Sequence, residues 1–260
     1  MTKRILVSVL VAASFGAGAA ALGQAAAPAV KGYLSDPPQA LRLLPPPPAA
    51  GSARQADDEA AFKATRALRD SPRWKLATAD ADLSQGANLF ACAIGQKLAA
   101  GDTPTLFLLL RRVALDDRAV VDPSKDYYAR PRPYLASDAP ICVPKDATLA
   151  KSPSYPSGHS TLSWTWGLIL AELAPDRATD IMMRARAIGE SRVVCGVHFP
   201  SDVEAGRTNG AVLSAALHGD PAFRADLDKA RAELAAARAK PHVGAEDCLA
   251  TDQASAHPPY

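Results

Sequence analysis

The chain has 260 residues, 48% of them hydrophobic and 22% charged, which allows one substantial core or at most two small domains. Its formal net charge of +2 falls to 0 without residues 1–25, since that stretch holds Lys3, Arg4 and no acid. Bulk charge therefore steers it toward neither nucleic acid nor anionic lipid, and any basic site must be local.

Lys3 and Arg4 precede an apolar run from Ile5 to Leu22, followed by Gly23, Gln24 and Ala25. A basic start, a hydrophobic middle and a small-residue end describe a secretory signal over residues 1–25. The run is too rich in Ala and Gly for a permanent membrane span. The mature protein is expected in the periplasm or secreted, with no membrane attachment after cleavage. The cysteines, Cys92, Cys142, Cys195 and Cys248, stand about fifty residues apart without a CxxC pair. That argues against a zinc cluster; two disulfides, with three pairings open, or buried free thiols are the alternatives.

Residues 26–51 read as an extended proline-rich segment, with LLPPPP at 43–48 favouring polyproline II. The pattern then turns helical. A first helix is expected over 55–69, stopped by Ser71-Pro72, with a short successor near Trp74. Leu83, Ala87, Phe90, Ile94 and Leu98 recur at three- and four-residue steps, which predicts an amphipathic helix over 83–100. Thr103-Pro104 opens the next, which should end before Asp122-Pro123. Residues 122–156 hold seven prolines and little periodicity, and read as a long functional loop. Residues 159–173 are apolar on nearly every face, the mark of a central buried helix. Asp176 is placed as the cap of a helix reaching Glu190. Ser201 and Glu204 fit a capping box for a helix to Leu217, in which Gly206 and Gly210 would let a neighbour approach closely. Asp220-Pro221 starts the last helix, and the tail 241–260 is expected to be loose. With no strand pattern, the fold class is all-α: a single helical domain over 52–240.

Three stretches bring cations or histidines to constrained backbone: KDYYARPRPY (125–134), SYPSGHST (154–161) and SRVVCGVHFPSD (191–202). Singly, each has a plain structural reading as surface charge or helix cap. Together they supply Lys125, Arg132, Arg192, the N-terminus of a helix at Ser157, Gly158 and His159, and a second imidazole, His198, four residues before Asp202. A tetrahedral oxyanion suits that set: guanidinium groups pair with phosphate oxygens, lysine adds a point charge, and helix-end N–H groups point at the anion. One histidine can attack phosphorus while the other protonates the leaving alkoxide, and Asp202 can hold the attacking ring in its tautomer.

The three stretches match, in order and spacing, K-x6-RP … PSGH … SR-x5-H-x3-D, with every fixed position filled. In this the chain resembles the phosphatidic acid phosphatase and vanadium haloperoxidase superfamily. LLPPPP, SYPSGHS and ESRVVCGVHFPSDVEAGR resemble more closely its bacterial class A non-specific acid phosphatases. The resemblance implies a helical bundle of that type and a metal-independent acid phosphatase acting on phosphate monoesters through a phosphohistidine. His198 is then the nucleophile, Asp202 its partner and His159 the general acid, with Lys125, Arg132, Ser157, Gly158 and Arg192 holding phosphate. No metal or other cofactor is implied, because the cationic side chains neutralise the charge. A covalent phosphoenzyme also admits a phosphotransferase side activity. The rival functions are a vanadium-dependent haloperoxidase using the same pocket and a non-catalytic phosphate-binding protein. Nothing marks nucleic acid as a partner. Homo-oligomerisation is common in the subgroup but has no marker in this sequence, and nothing names the alcohol of the substrate.

Overall fold

Helix starts in this protein are set mostly by side chains that take up orphaned backbone N–H groups. The structure, a computed structural model, describes residues 29–240 and 245–260; the leader expected over 1–25 lies outside the described residues. Residues 31–260 form one compact unit that holds every element, and of residues 1–30 only Ala29 and Val30 are described. One turn of helix, α1 (Ala40–Leu43), precedes the proline run. Ser52 and Ser71 then accept from Gln55 N and Trp74 N, opening α2 (Ala53–Thr65) and α3 (Pro72–Ala79).

The helix expected over 83–100 is broken. A 3-10 stretch (Leu83–Phe90) leads into a single turn, α4 (Ala91–Ile94). Gly86 takes φ 55°, a left-handed conformation that ends regular helix, and the Asn88 amide holds both the N–H and the carbonyl of Leu98, at 2.8 and 3.0 Å. The opposite happens next. α5 (Pro104–Tyr128) runs straight through Pro123, where a stop was expected. Proline there removes one rung of the hydrogen-bond ladder, but Val120, Val121 and Ser124 are buried beside it, and that burial outweighs the local rule. Lys125 thus stands on the last turn of a rigid helix instead of in a loop.

The irregular segment shrinks to 129–157 and contains a 3-10 turn (Pro133–Ala136) and α6 (Ala147–Lys151). The buried central helix is present as α7 (Gly158–Leu173), and α8 (Ala178–Val194) follows a 3-10 turn. Asp176 does not cap α8; it pairs with Arg238 at 2.9 Å. Nor does the Ser201–Glu204 box form at α9 (Pro200–Leu217). The Asp202 carboxylate instead accepts from Phe199 N at 2.8 Å, while Ser201 turns to Asp58 and Glu204 to Arg54. Asp220 opens α10 (Pro221–Arg238) by accepting from Phe223 N. The tail carries a further helix, α11 (Ala245–Ala256), tied to α4 by the Cys92–Cys248 disulfide. Cys142 pairs with Cys195, so the described residues include no free thiol. Cross-links closing 156 and 53 residues contribute roughly 5 and 4 kcal/mol by loop-closure entropy. No described residue is in a strand.

α7 packs chiefly on α8 and α9 and also on α5, and α10 covers α5. The α7–α9 contact is close because of two glycines one turn apart. A Cβ on Gly206 would lie 2.5 Å from the Ser157 carbonyl oxygen and 2.7 Å from Ser160 Cβ; one on Gly210 would lie 2.6 Å from the Thr161 carbonyl oxygen. Both obstacles at Gly206 belong to the first turn of α7, which cannot yield without moving. We therefore expect Gly206→Ala to destabilise the fold by about 3 kcal/mol, seen as a melting temperature about 6–12 °C lower. An unchanged melting temperature would show the two helices to be loosely packed.

Candidate active site

α5, α7, α8 and α9 each end or begin at one place, and the 129–157 segment crosses it. All eight expected residues are found there. Ser157 is the N-cap of α7: its Oγ accepts from Ser160 N at 3.3 Å and from Ser160 Oγ at 3.1 Å, which leaves its own hydroxyl proton uncommitted. Its N–H donates to the Asp202 carbonyl at 3.0 Å, locking the start of α7 to α9. Gly158 and His159, the first two residues of α7, have N–H groups with no intrahelical acceptor. A Cβ at 158 would make only ordinary contact with Val121 and Asp117, so packing does not dictate the glycine.

His198 is buried on the turn between α8 and α9. Arg132 Nη1 lies 3.2 Å from its Nε2, and since a guanidinium can only donate, Nε2 is the bare nitrogen and the proton sits on Nδ1. Nδ1 faces Asp202 Oδ2 at 3.4 Å, a long contact. Asp202 is fully buried; its other oxygen takes Arg130 Nη1 at 2.5 Å. Burial pushes its carboxyl up, against the pull of Arg130 and of the Phe199 N–H.

His159 Nε2 is 3.1 Å from the Ala81 carbonyl. A carbonyl only accepts, so Nε2 bears hydrogen and Nδ1 is the nitrogen that titrates. Burial pushes both imidazoles well below their ordinary value, and nearby cations add to it: chiefly Arg192 for His159, and Arg132, Lys125 and Arg192 for His198. Both shifts favour the neutral form of each ring. The simple expectation that His159 enters already protonated is therefore not what this electrostatic field favours.

Three cations surround the rings. Arg132 is held by carbonyls: Nε by Leu149 and Ser152 at 3.1 and 2.7 Å, Nη1 by Val197 at 2.9 Å. Lys125 Nζ reaches the Pro153 carbonyl, and burial, then Arg132, pushes it down to about 8. Arg192 is different. It is buried, its Nε and Nη1 have no partner, and burial and Arg132 bring it down to about 10. Asp80, the acid that favours its charge, is already engaged by Arg184 and by Ser191 Oγ. Among the described residues no other buried arginine leaves two unpartnered nitrogens. Lys125 and His159 keep partial exposure and mark the mouth of the site.

Sequence patterns did not reveal the polar frame behind this cage. Arg130, inside the ARPRP stretch, bridges Asp202 to Asp58 of α2 at 2.9 Å and to Gln55 at 2.6 Å. Arg66 donates to the Val193 carbonyl at 3.0 Å and to the Val194 carbonyl at 2.5 Å, closing the C-terminus of α8 just before the His198 turn. Arg130 lies beside Arg132 without any mark of its own in the sequence, and Asp58 gave no signal. Among the described residues no group of acids, histidines and cysteines is arranged to hold a metal ion, and no helix is long and apolar enough to cross a membrane.

The PAP2 superfamily pattern matches residues 106–224, from α5 into α10. An acid phosphatase of Zymomonas mobilis is 43% identical over 214 residues, covering 81% of this chain and 77% of that protein. Non-specific acid phosphatases of Salmonella typhimurium and Providencia stuartii are 41% and 38% identical, over 74% and 75% of this chain and 78% and 80% of theirs.

Proposed function

This chain belongs to the acid phosphatase family of the PAP2 superfamily, and from that premise we propose that it hydrolyses phosphate monoesters through a phosphohistidine formed on His198. The observation that carries the reading is Arg192. A buried guanidinium with unpartnered nitrogens suits a ligand that is anionic and accepts several hydrogen bonds. A phosphoryl group held by Arg192, Arg132, Lys125, the Ser157 hydroxyl and the Gly158 and His159 N–H groups meets that demand.

The steps follow from the two tautomers. The His198 Nε2 lone pair attacks phosphorus as the ester P–O bond breaks. Proton transfer from His159 Nδ1 turns the departing alkoxide into an alcohol. The imidazole of His198 becomes a phospho-imidazolium whose Nδ1–H faces the Asp202 carboxylate. His159, now neutral, takes a proton from water, the hydroxide attacks phosphorus, and the P–N bond breaks to release inorganic phosphate and restore Nε2. Acceptor alcohols in place of water give phosphotransfer. The two disulfides support an exported, oxidising location.

The proton needed at His159 arrives with the substrate. The monoanion of a phosphate monoester carries it below a pKa of about 6, and the cage then holds the dianion with an imidazolium. We expect kcat/KM to fall tenfold per pH unit above about 6. Above about 8, where Lys125 loses its charge in the empty site, the fall should steepen to a hundredfold. Because His198 is pushed below its ordinary value, the acid limb should lie under pH 6.5. A profile flat to pH 9, or an acid limb above 6.5, contradicts this account. The direct test is acid-quench trapping of labelled phosphate on the protein during turnover of p-nitrophenyl phosphate. A phosphoenzyme lost in His198→Ala supports the reading; turnover with no protein-bound phosphate, or binding with no turnover, rejects it.

A further inference from the structure

We propose that Asp58, on α2 and outside every motif that marks the site, is a positioning residue of the reaction. Through Arg130 it keeps the charge of Asp202 turned toward the ring of His198. The inference rests on the reading of His198 as nucleophile given above.

Arg130 lies between two buried carboxylates. Its Nη1 donates to Asp202 Oδ1 at 2.5 Å and to Ser201 Oγ at 2.8 Å; its Nη2 donates to Asp58 Oδ2 at 2.9 Å and to Gln55 Oε1 at 2.6 Å. The guanidinium sits over the Phe199 ring, 4.3 Å from its centre, so it has little freedom to slide toward either acid. Asp58 is 1% exposed and Asp202 0%, and Asp58 Oδ1 also takes the Ser201 N–H at 3.0 Å. A guanidinium bound to Asp202 alone would cancel the charge that the ring of His198 needs at its back. Shared with Asp58, it orients Asp202 and leaves the trio with one net negative charge. That charge opposes the positive charge His198 acquires when Nε2 is phosphorylated.

Docking of α2 does not need this contact. Phe62 is buried, Thr65 Oγ1 reaches the Val193 carbonyl, and Arg66 binds the end of α8. The charged and titratable groups facing His198 come from every element around it: Asp202 from α9, Lys125 from α5, Arg192 from α8, His159 from α7 and Arg132 from the connecting segment. All but Asp202 are cations or can become so. Facing Asp58 are Arg130 and, more distantly, Arg54.

The experiment is Asp58→Asn in the full mature chain, with His198 followed by nitrogen-15 NMR and turnover of p-nitrophenyl phosphate measured alongside. Loss of the carboxylate gives Arg130 wholly to Asp202. We expect the His198 titration to move down by about one pH unit, kcat to fall about tenfold and KM to stay. Asp58→Glu should recover most of kcat. The double variant Asp58→Asn with Arg130→Gln removes the guanidinium together with its balance, and should bring the titration back to the wild-type value or above it. It also serves if the single variant does not fold. An unmoved titration in Asp58→Asn, or a titration still depressed in the double variant, overturns the inference. A lower melting temperature with an unmoved titration does the same, since that is what a purely structural residue would give. If His198→Ala itself keeps its activity, the nucleophile assignment has failed instead, and the titration of His198 still judges the Asp58 relay by itself.

Discussion

His198→Ala should lower kcat on every phosphate monoester by roughly 10⁴- to 10⁶-fold, the loss seen when a nucleophile that works as part of a unit is removed. His159→Ala should behave differently. A general acid contributes roughly 10² to 10⁴, and only in proportion to how badly the leaving group needs a proton. Nitrophenolate leaves without one, so His159→Ala should keep a sizeable fraction of its phosphoryl-transfer rate on nitrophenyl phosphate and lose most of it on an alkyl phosphate. The structure sharpens the contrast. His159 Nε2 is committed to the Ala81 carbonyl, so Nδ1 is the one nitrogen this ring has for proton transfer. Steady-state kinetics of both variants on a nitrophenyl and an alkyl ester check this. If the two variants lose activity equally on both substrates, the division of labour between the rings is wrong.

What the sequence disclosed and what it hid divide along a physical line. That Lys125, Arg132, His159, Arg192, His198 and Asp202 come together was legible because they sit in three short stretches whose constrained turns fix their spacing. α10 was legible because a buried face repeats at the helical period, and α7 because it is apolar on nearly every face. The failures are places where a distant contact overrode a local rule. Pro123 reads as a stop, yet burial of its neighbours carries α5 through it and puts Lys125 on a rigid helix. The stretch 83–100 reads as one helix, yet Asn88 folds it back onto Leu98. Ser201 and Glu204 read as a capping box, yet Asp202 takes the N–H and Ser201 is drawn to an acid 143 residues away. Asp58 and Arg130 left no trace for the same reason: a buried ion pair between remote segments has no period and no spacing.

Arg192→Met should make the protein more stable and nearly useless, an outcome that follows from the same unpaired guanidinium. In the unliganded fold that group is deprived of water and repelled by Arg132, and it has only Asp80, already bound by Arg184 and Ser191, to favour its charge. A group lowered to about 10 in the fold has its charged form disfavoured there. The penalty, about 3 kcal/mol, is fully present at every pH well below 10. Methionine fills a similar space without charge, so the variant should gain about 1–3 kcal/mol, or a melting temperature higher by roughly 2–10 °C. Catalysis should move the other way: losing one donor to the charge that develops at phosphorus typically costs about 10² to 10³ in rate. Ligand response completes the test, because an anion that pairs with Arg192 returns the stored penalty on binding. Phosphate or vanadate should raise the melting temperature of the wild type strongly and that of Arg192→Met little. A variant that melts lower than the wild type without ligand, or that gains as much from phosphate, would mean the guanidinium is already satisfied. The site would then have no reason to recruit a phosphoryl group through it.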